Sequence, residues 1–182
     1  GKFSGARPWL WLAPSFSLLI VFLAYPIVNT FLISLKDAKA DGFVGLANYA
    51  HVFTDPGMLV VLRNNAAWLI FFTLGTLGFG LLMAVLSDRV KWEPVAKAAV
   101  FIPMAISFVA AGIIWRFMFE FRPAGEAQIG TVNAVLSAIV PAFEPKAWLF
   151  DTSSNNVALI AVGIWMWTGF AMVILSAGLK AI

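Results

Sequence analysis

Four long stretches of this sequence contain no Asp, Glu, Lys or Arg: Pro8 to Leu35, Asn64 to Ser87, Ala98 to Trp115 and Thr152 to Leu179. A helix needs roughly 20 apolar residues to cross a bilayer, and each window supplies about that length. With 62% apolar residues, 12% charged residues and a mean hydropathy of +0.92, a chain of 182 residues has no soluble interior large enough to hide them. Lipid offers no hydrogen bonds to the backbone, so such segments must satisfy their own N–H and C=O groups as helices. The sequence therefore predicts an all-α integral membrane fold of four transmembrane helices, at about 9–35, 64–87, 98–119 and 155–179, in a single transmembrane domain over 1–182. The first apolar stretch is about twice the usual signal-peptide core and has no small-residue cleavage site, so it is expected to stay in the mature chain.

Other classes lose support on composition. Without cysteine, the chain can build no disulfide framework, iron-sulfur cluster or thiolate metal site. His51, its one histidine, stands beside Tyr49 and Phe53 in a connecting segment and reads as an interfacial residue, not a ligand. The basic residues behind the net charge of +3 are scattered, so they do not form the stripe that nucleic acid requires.

Charge reports topology instead. Lys2, Arg7, Arg89, Lys91, Lys97 and Lys180 fall on one side; Lys36, Lys39, Arg63, Arg116, Arg122 and Lys146 fall on the other. The first six sit in short segments near helix ends, where positive charge biases orientation most, and this places the N-terminus in the cytoplasm.

Along the chain, Pro14 and Pro26 remove backbone donors from span one, a loss tolerated where neighbouring helices compensate. In the first outer connection Asp55-Pro56 pairs an N-cap residue with proline at the first helical position, which predicts a short helix leading into span two. Gly75, Gly78 and Gly80 in that span suit a small-residue packing face, and no Lys-Ser or Lys-Thr follows them to make a P-loop. Pro103 lies one turn inside span three, and Trp115-Arg116 reads as an interfacial anchor at its outer end. Ile129, Val132, Val135, Leu136, Ile139 and Val140 recur at helical spacing before Pro141, predicting an interfacial helix on the outer face.

Span four holds the local anomaly. Trp165 and Trp167 lie near its middle, whereas membrane tryptophans collect at interfaces. Trp165, Gly169, Met172 and Ser176 follow spacings of four, three and four and so share one helical face, with a flat indole beside a glycine that allows close approach. Such a face suits a pyranose, whose apolar side packs on an aromatic ring while its hydroxyls seek groups such as Thr168 and Ser176. Packing by bulky residues accounts equally well for either tryptophan alone. The substrate-pathway candidates are Trp165, Trp167, Thr168, Gly169, Met172 and Ser176.

Four segments together resemble the membrane-spanning permease subunits of sugar-type ATP-binding-cassette importers, the maltose and glycerol-phosphate group. APSFSLLIVFLAYPIVNTFLISL, Ala13 to Leu35, is similar to the family's opening span, and GLANYAHVFTDP, Gly45 to Pro56, to its GLxNYxxxFxDP stretch. AAVFIPMAISFVAAGIIWRFMF, Ala98 to Phe119, with GTVNAVL, Gly130 to Leu136, resembles the third span and the outer helix after it. WMWTGFAMVILSAGLKAI, Trp165 to Ile182, resembles the approach to the cytoplasmic coupling motif. Within the group the general likeness is to importers of disaccharides or α-glucosides. Family members continue with a proline, an EAA-type docking motif and further spans, which implies that this chain is a C-terminally truncated part of a larger, six-span permease.

The resemblance implies a transport subunit in the cell inner membrane, and not an enzyme. No cofactor is expected in this chain, with ATP and Mg on cytoplasmic ATP-binding partner subunits. The other implied partners are a second homologous permease, an extracytoplasmic solute-binding protein, membrane lipid and the sugar; nucleic acid is not among them. The residues agree, since no Walker motif is present and no span carries the buried carboxylates usual in proton-coupled transporters. An integral-membrane enzyme would need an acid-base or metal constellation that the spans lack. A four-span structural or channel-like protein stays open as the alternative.

Overall fold

The computed structural model describes residues 7–123 and 125–181, so Lys2 and Ile182 lie outside the described residues. All regular elements among them are helices, in the order α1 Arg7–Leu19, α2 Tyr25–Ser34, α3 Ala47–Thr54, α4 Pro56–Ala67, α5 Thr73–Ser87, α6 Glu93–Ala105, α7 Phe108–Met118, α8 Thr131–Ile139 and α9 Asn155–Leu179. Five-residue π turns at Ile20–Ala24 and Trp68–Phe72 join α1 to α2 and α4 to α5. Two compact units result, 1–62 and 63–182.

In the first unit, Trp11–Ser34 is one apolar helix long enough to cross a membrane, with no residue buried against protein. Its π turn precedes Pro26, whose ring would otherwise press on the carbonyl of Phe22 and which has no N–H to give it; a wider turn absorbs both. The GLANY segment then closes the helix end. Asn48 Nδ2 donates to the carbonyls of Ser34 (2.8 Å) and Lys36 (2.7 Å), and the hydroxyls of Tyr49 and Ser34 are 2.6 Å apart. Gly45 turns the chain into α3 at φ +58°, a region costly for side chains with a Cβ. Asp55 caps the next helix as expected, accepting from Met58 N at 3.0 Å, with Pro56 as its first residue.

The expected short helix is continuous with span two, and Pro56–Ser87 runs as one apolar stretch of 32 residues. In the second unit α5 and α9 pack along their lengths, and α6 packs across α9. The buried residues of α5 are Thr76, Gly80, Ala84 and Ser87, a stripe of small side chains. A Cβ at Gly80 would stand 2.6 Å from that of Ala171 on α9, and the other two glycines divide: Gly75 abuts Ile164, while Gly78 faces open space.

The third span differs from the single helix expected over 98–119. α6 and α7 meet at 94°. Ile106 and Ser107 are extended, and Ser107 Oγ accepts from Ala110 N at 3.1 Å, so this serine ends one helix and caps the next. Among the described residues three apolar helices are long enough to cross a membrane, and the bent pair makes a fourth where it is counted as one span.

The helix expected after the third span is α8, and Asn133 ties it to the segments on either side. Asn133 is fully buried, donating to the carbonyls of Glu120 (3.2 Å) and Lys146 (3.0 Å) and accepting from Lys146 N (3.2 Å) and Trp148 Nε1 (2.8 Å). Gly130 lets the start of α8 lie on the Glu120 backbone, where a Cβ has no room.

Candidate functional site

The site begins at the closest approach of two helices. At Gly169 of α9 an added Cβ would stand 2.6 Å from the carbonyl oxygen of Val100 and 2.7 Å from Phe101 Cα, so only glycine lets α6 lie this near. Above that contact the three helices part around a cavity of about 460 Å³, a volume suited to a small ligand. Phe79 and Met83 of α5, Val100 and Pro103 of α6, and Ile164, Trp165 and Thr168 of α9 line it.

Trp165 is half-buried, and its ring meets Trp115 edge-on with centroids 5.4 Å apart at 76°. That contact holds the indole at the cavity wall. Thr168 Oγ1 donates to the Ile164 carbonyl at 2.6 Å, which leaves its lone pairs as the acceptors this hydroxyl offers the cavity.

Of the six residues predicted from sequence, Trp165 and Thr168 share this cavity. Gly169 and Met172 are buried in helix packing; Met172 has no exposed surface, and Ser87 Oγ lies 3.9 Å from its sulfur. Trp167, two positions from Trp165 and so on another side of α9, is 37% exposed and packs edge-on against Phe170. Ser176 is buried at the far end of α9, where its Oγ donates to Asp88 Oδ1 at 3.0 Å and meets Lys97 Nζ.

Ser176 thereby joins a charged cluster. Lys97 Nζ lies 2.6 Å from Asp88 Oδ1 and 2.7 Å from Glu93 Oε1, and Lys180 pairs with Glu93 from the end of α9. The Lys97 ammonium beside it holds the Asp88 carboxyl below its ordinary range, against the opposing effect of its partial burial. A depressed folded value means that Asp88 stabilises the joint above the ordinary carboxylate range, and that this contribution is lost as pH falls through the lowered value. Lys97→Met is expected to lower the unfolding midpoint at neutral pH and to flatten its fall on acidification, because the acid-sensitive contribution is already gone. Midpoints measured across the carboxylate range check this; an unchanged acid slope would count against the cluster.

Sequence reasoning missed Trp115 as a support for Trp165. The available signal was its spacing of four from Phe119, whose ring it also meets at 5.2 Å.

The chain is 46% identical over 173 residues to the osmoprotective compounds uptake permease protein GgtC of Synechocystis sp., covering 95% of this chain and 61% of that protein. It is 44% identical over 176 residues to the alpha-glucoside transport system permease protein AglF of Rhizobium meliloti, covering 97% and 52%. Over nearly its whole length the chain is similar to permease proteins of transport systems. A crystal structure of a bacterial ABC transporter involved in the import of the acidic polysaccharide alginate has the same fold, with a TM-score of 0.69 at 22% identity over 97% of this chain and 59% of that one. No protein-family model matches. The chain spans little more than half the length of these curated relatives, and its helices are those of a multi-pass membrane protein.

Proposed function

We propose that this permease forms part of the translocation pathway of a binding-protein-dependent importer for sugars, of oligosaccharide or α-glucoside type. The likeness to an uptake permease and a transport-system permease over 95% and 97% of the chain carries the reading. The cavity supports it, since a half-buried indole and a threonine hydroxyl on apolar walls offer a sugar one stacking face and one polar contact.

Trp165 and Thr168 are the groups placed against the sugar. Gly169 and Met172 keep α5, α6 and α9 close around it, Trp167 lies on the outward side of α9, and Ser176 belongs to the inner charged joint. ATP and magnesium act on separate cytoplasmic subunits, and a second permease subunit completes the pathway. An extracytoplasmic solute-binding protein delivers sugar to the outer segment around α8.

The N-terminus is cytoplasmic, so the 88–92 turn faces inward and the Asp37–Gly42 turn outward. Because these 182 residues contain no cysteine, single cysteines report this cleanly. Asp41→Cys is expected to react with an impermeant maleimide on intact spheroplasts and Val90→Cys only after permeabilisation. The opposite pattern would invert the topology.

Transport itself is tested in proteoliposomes holding the complete permease and its partner subunits. Radiolabelled α-glucoside is expected to accumulate only when binding protein and ATP are both supplied. Accumulation without ATP would contradict the reading.

A further inference from the structure

The turn between α5 and α6 carries an imbalance of charge. Its two acids, Asp88 and Glu93, are both taken by lysines from outside the turn: Lys97, one helical turn into α6, and Lys180, at the end of α9. Arg89 and Lys91 are exposed, and among the described residues neither has a carboxylate within ion-pair distance.

Backbone bonds hold these cations in a short wound segment, with Arg89 N donating to Leu86 O, Val90 N to Ser87 O and Glu93 N to Val90 O. Beside them Trp92 is 59% exposed and Val95 64% exposed. The segment runs from the end of the apolar Pro56–Ser87 helix, long enough to cross a membrane, to the start of the bent apolar pair α6 and α7, which sets all four side chains at the boundary between lipid and water. A tryptophan and a valine facing outward there suit the acyl-headgroup border, and two unpaired cations suit phosphate.

We propose that Arg89, Lys91 and Trp92 form a binding surface for the headgroup of an anionic phospholipid. Trp92 and Val95 seat against the upper acyl chains while Arg89 and Lys91 hold the phosphodiester. The internal pairing of Asp88 and Glu93 is what gives the surface its sign, since unpaired carboxylates would cancel the two cations. The inference depends neither on the orientation of the chain nor on its transport substrate, because an anionic lipid present in both leaflets meets the turn on either side.

Native mass spectrometry of the complete permease with its partner subunits, purified from vesicles of phosphatidylcholine and phosphatidylglycerol, tests it. Wild-type protein is expected to retain phosphatidylglycerol in preference to phosphatidylcholine, with a preference that falls as salt rises. At roughly fivefold per basic residue near a charged membrane, Arg89→Gln with Lys91→Gln is expected to weaken phosphatidylglycerol binding about thirtyfold. Lys36→Gln with Lys39→Gln, at the far end of span one, should leave it unchanged. Equal retention of the two lipids by wild-type protein overturns the proposal whatever the variants do. So does a double variant that keeps its phosphatidylglycerol but sheds an ATP-binding subunit, which would make this face a protein-docking surface.

Discussion

Replacing Gly169 with valine is expected to do more damage than any other single change in the membrane-spanning part of the chain. The atoms that a Cβ would meet, the Val100 carbonyl oxygen at 2.6 Å and Phe101 Cα at 2.7 Å, belong to backbone and cannot rotate aside. α6 must move off α9, and overpacking of this kind costs about 1–3 kcal/mol, or more where a helix shifts. The same shift opens the wall of the cavity that Val100 and Pro103 share with Trp165. Gly78→Val is the control, since nothing lies within 4 Å of a Cβ there. Unfolding midpoints of the two purified variants should differ by several degrees, with Gly78→Val near wild type. Equal midpoints would remove the close approach from the account.

Asn133→Leu is the second large effect. The side chain makes four hydrogen bonds while fully buried, and leucine makes none. Trp148 Nε1, the Lys146 N–H and the carbonyls of Glu120 and Lys146 all lose their partner; because Lys146 is exposed and Glu120 and Trp148 are half-buried, water replaces part of this bonding, and the expected loss is about 1–3 kcal/mol. Trp148 stacks on Phe143 and meets Phe119, so its release should be visible as a red shift in emission and as fast hydrogen exchange at the Lys146 amide. Asn133→Asp keeps the acceptor and loses the donors, and is expected to fall between. A leucine variant with protected Lys146 would show that packing alone holds this region.

These two residues mark what the sequence could and could not disclose. The spans were legible because hydropathy is additive along the chain, and the helix start at Asp55-Pro56 because a cap is local. The spacing of four between Trp165 and Gly169 is legible because helix geometry needs no partner; in the structure Trp165 lines the cavity and Gly169 packs on α6. The 94° bend was not legible, because a window free of charge looks the same whether or not Ser107 turns to cap a new helix. Asn133 lies between the apolar positions of the α8 period, and its partners at Glu120, Lys146 and Trp148 are 13 to 15 positions away, beyond the reach of any local pattern. The period puts Ser176 on the same face as Trp165, and its hydroxyl pairs with Asp88, 88 positions earlier. No periodic argument reaches that far.

Sugar-stimulated ATP hydrolysis by the reconstituted complex, compared between Trp165→Ala and Trp167→Ala, is the most direct test of whether the cavity is the sugar's path. Loss of the cavity indole is expected to raise the α-glucoside concentration for half-maximal stimulation about tenfold, while Trp167→Ala, altered on the outward side of α9, behaves as wild type. An unchanged sugar dependence in assembled Trp165→Ala complex would contradict it.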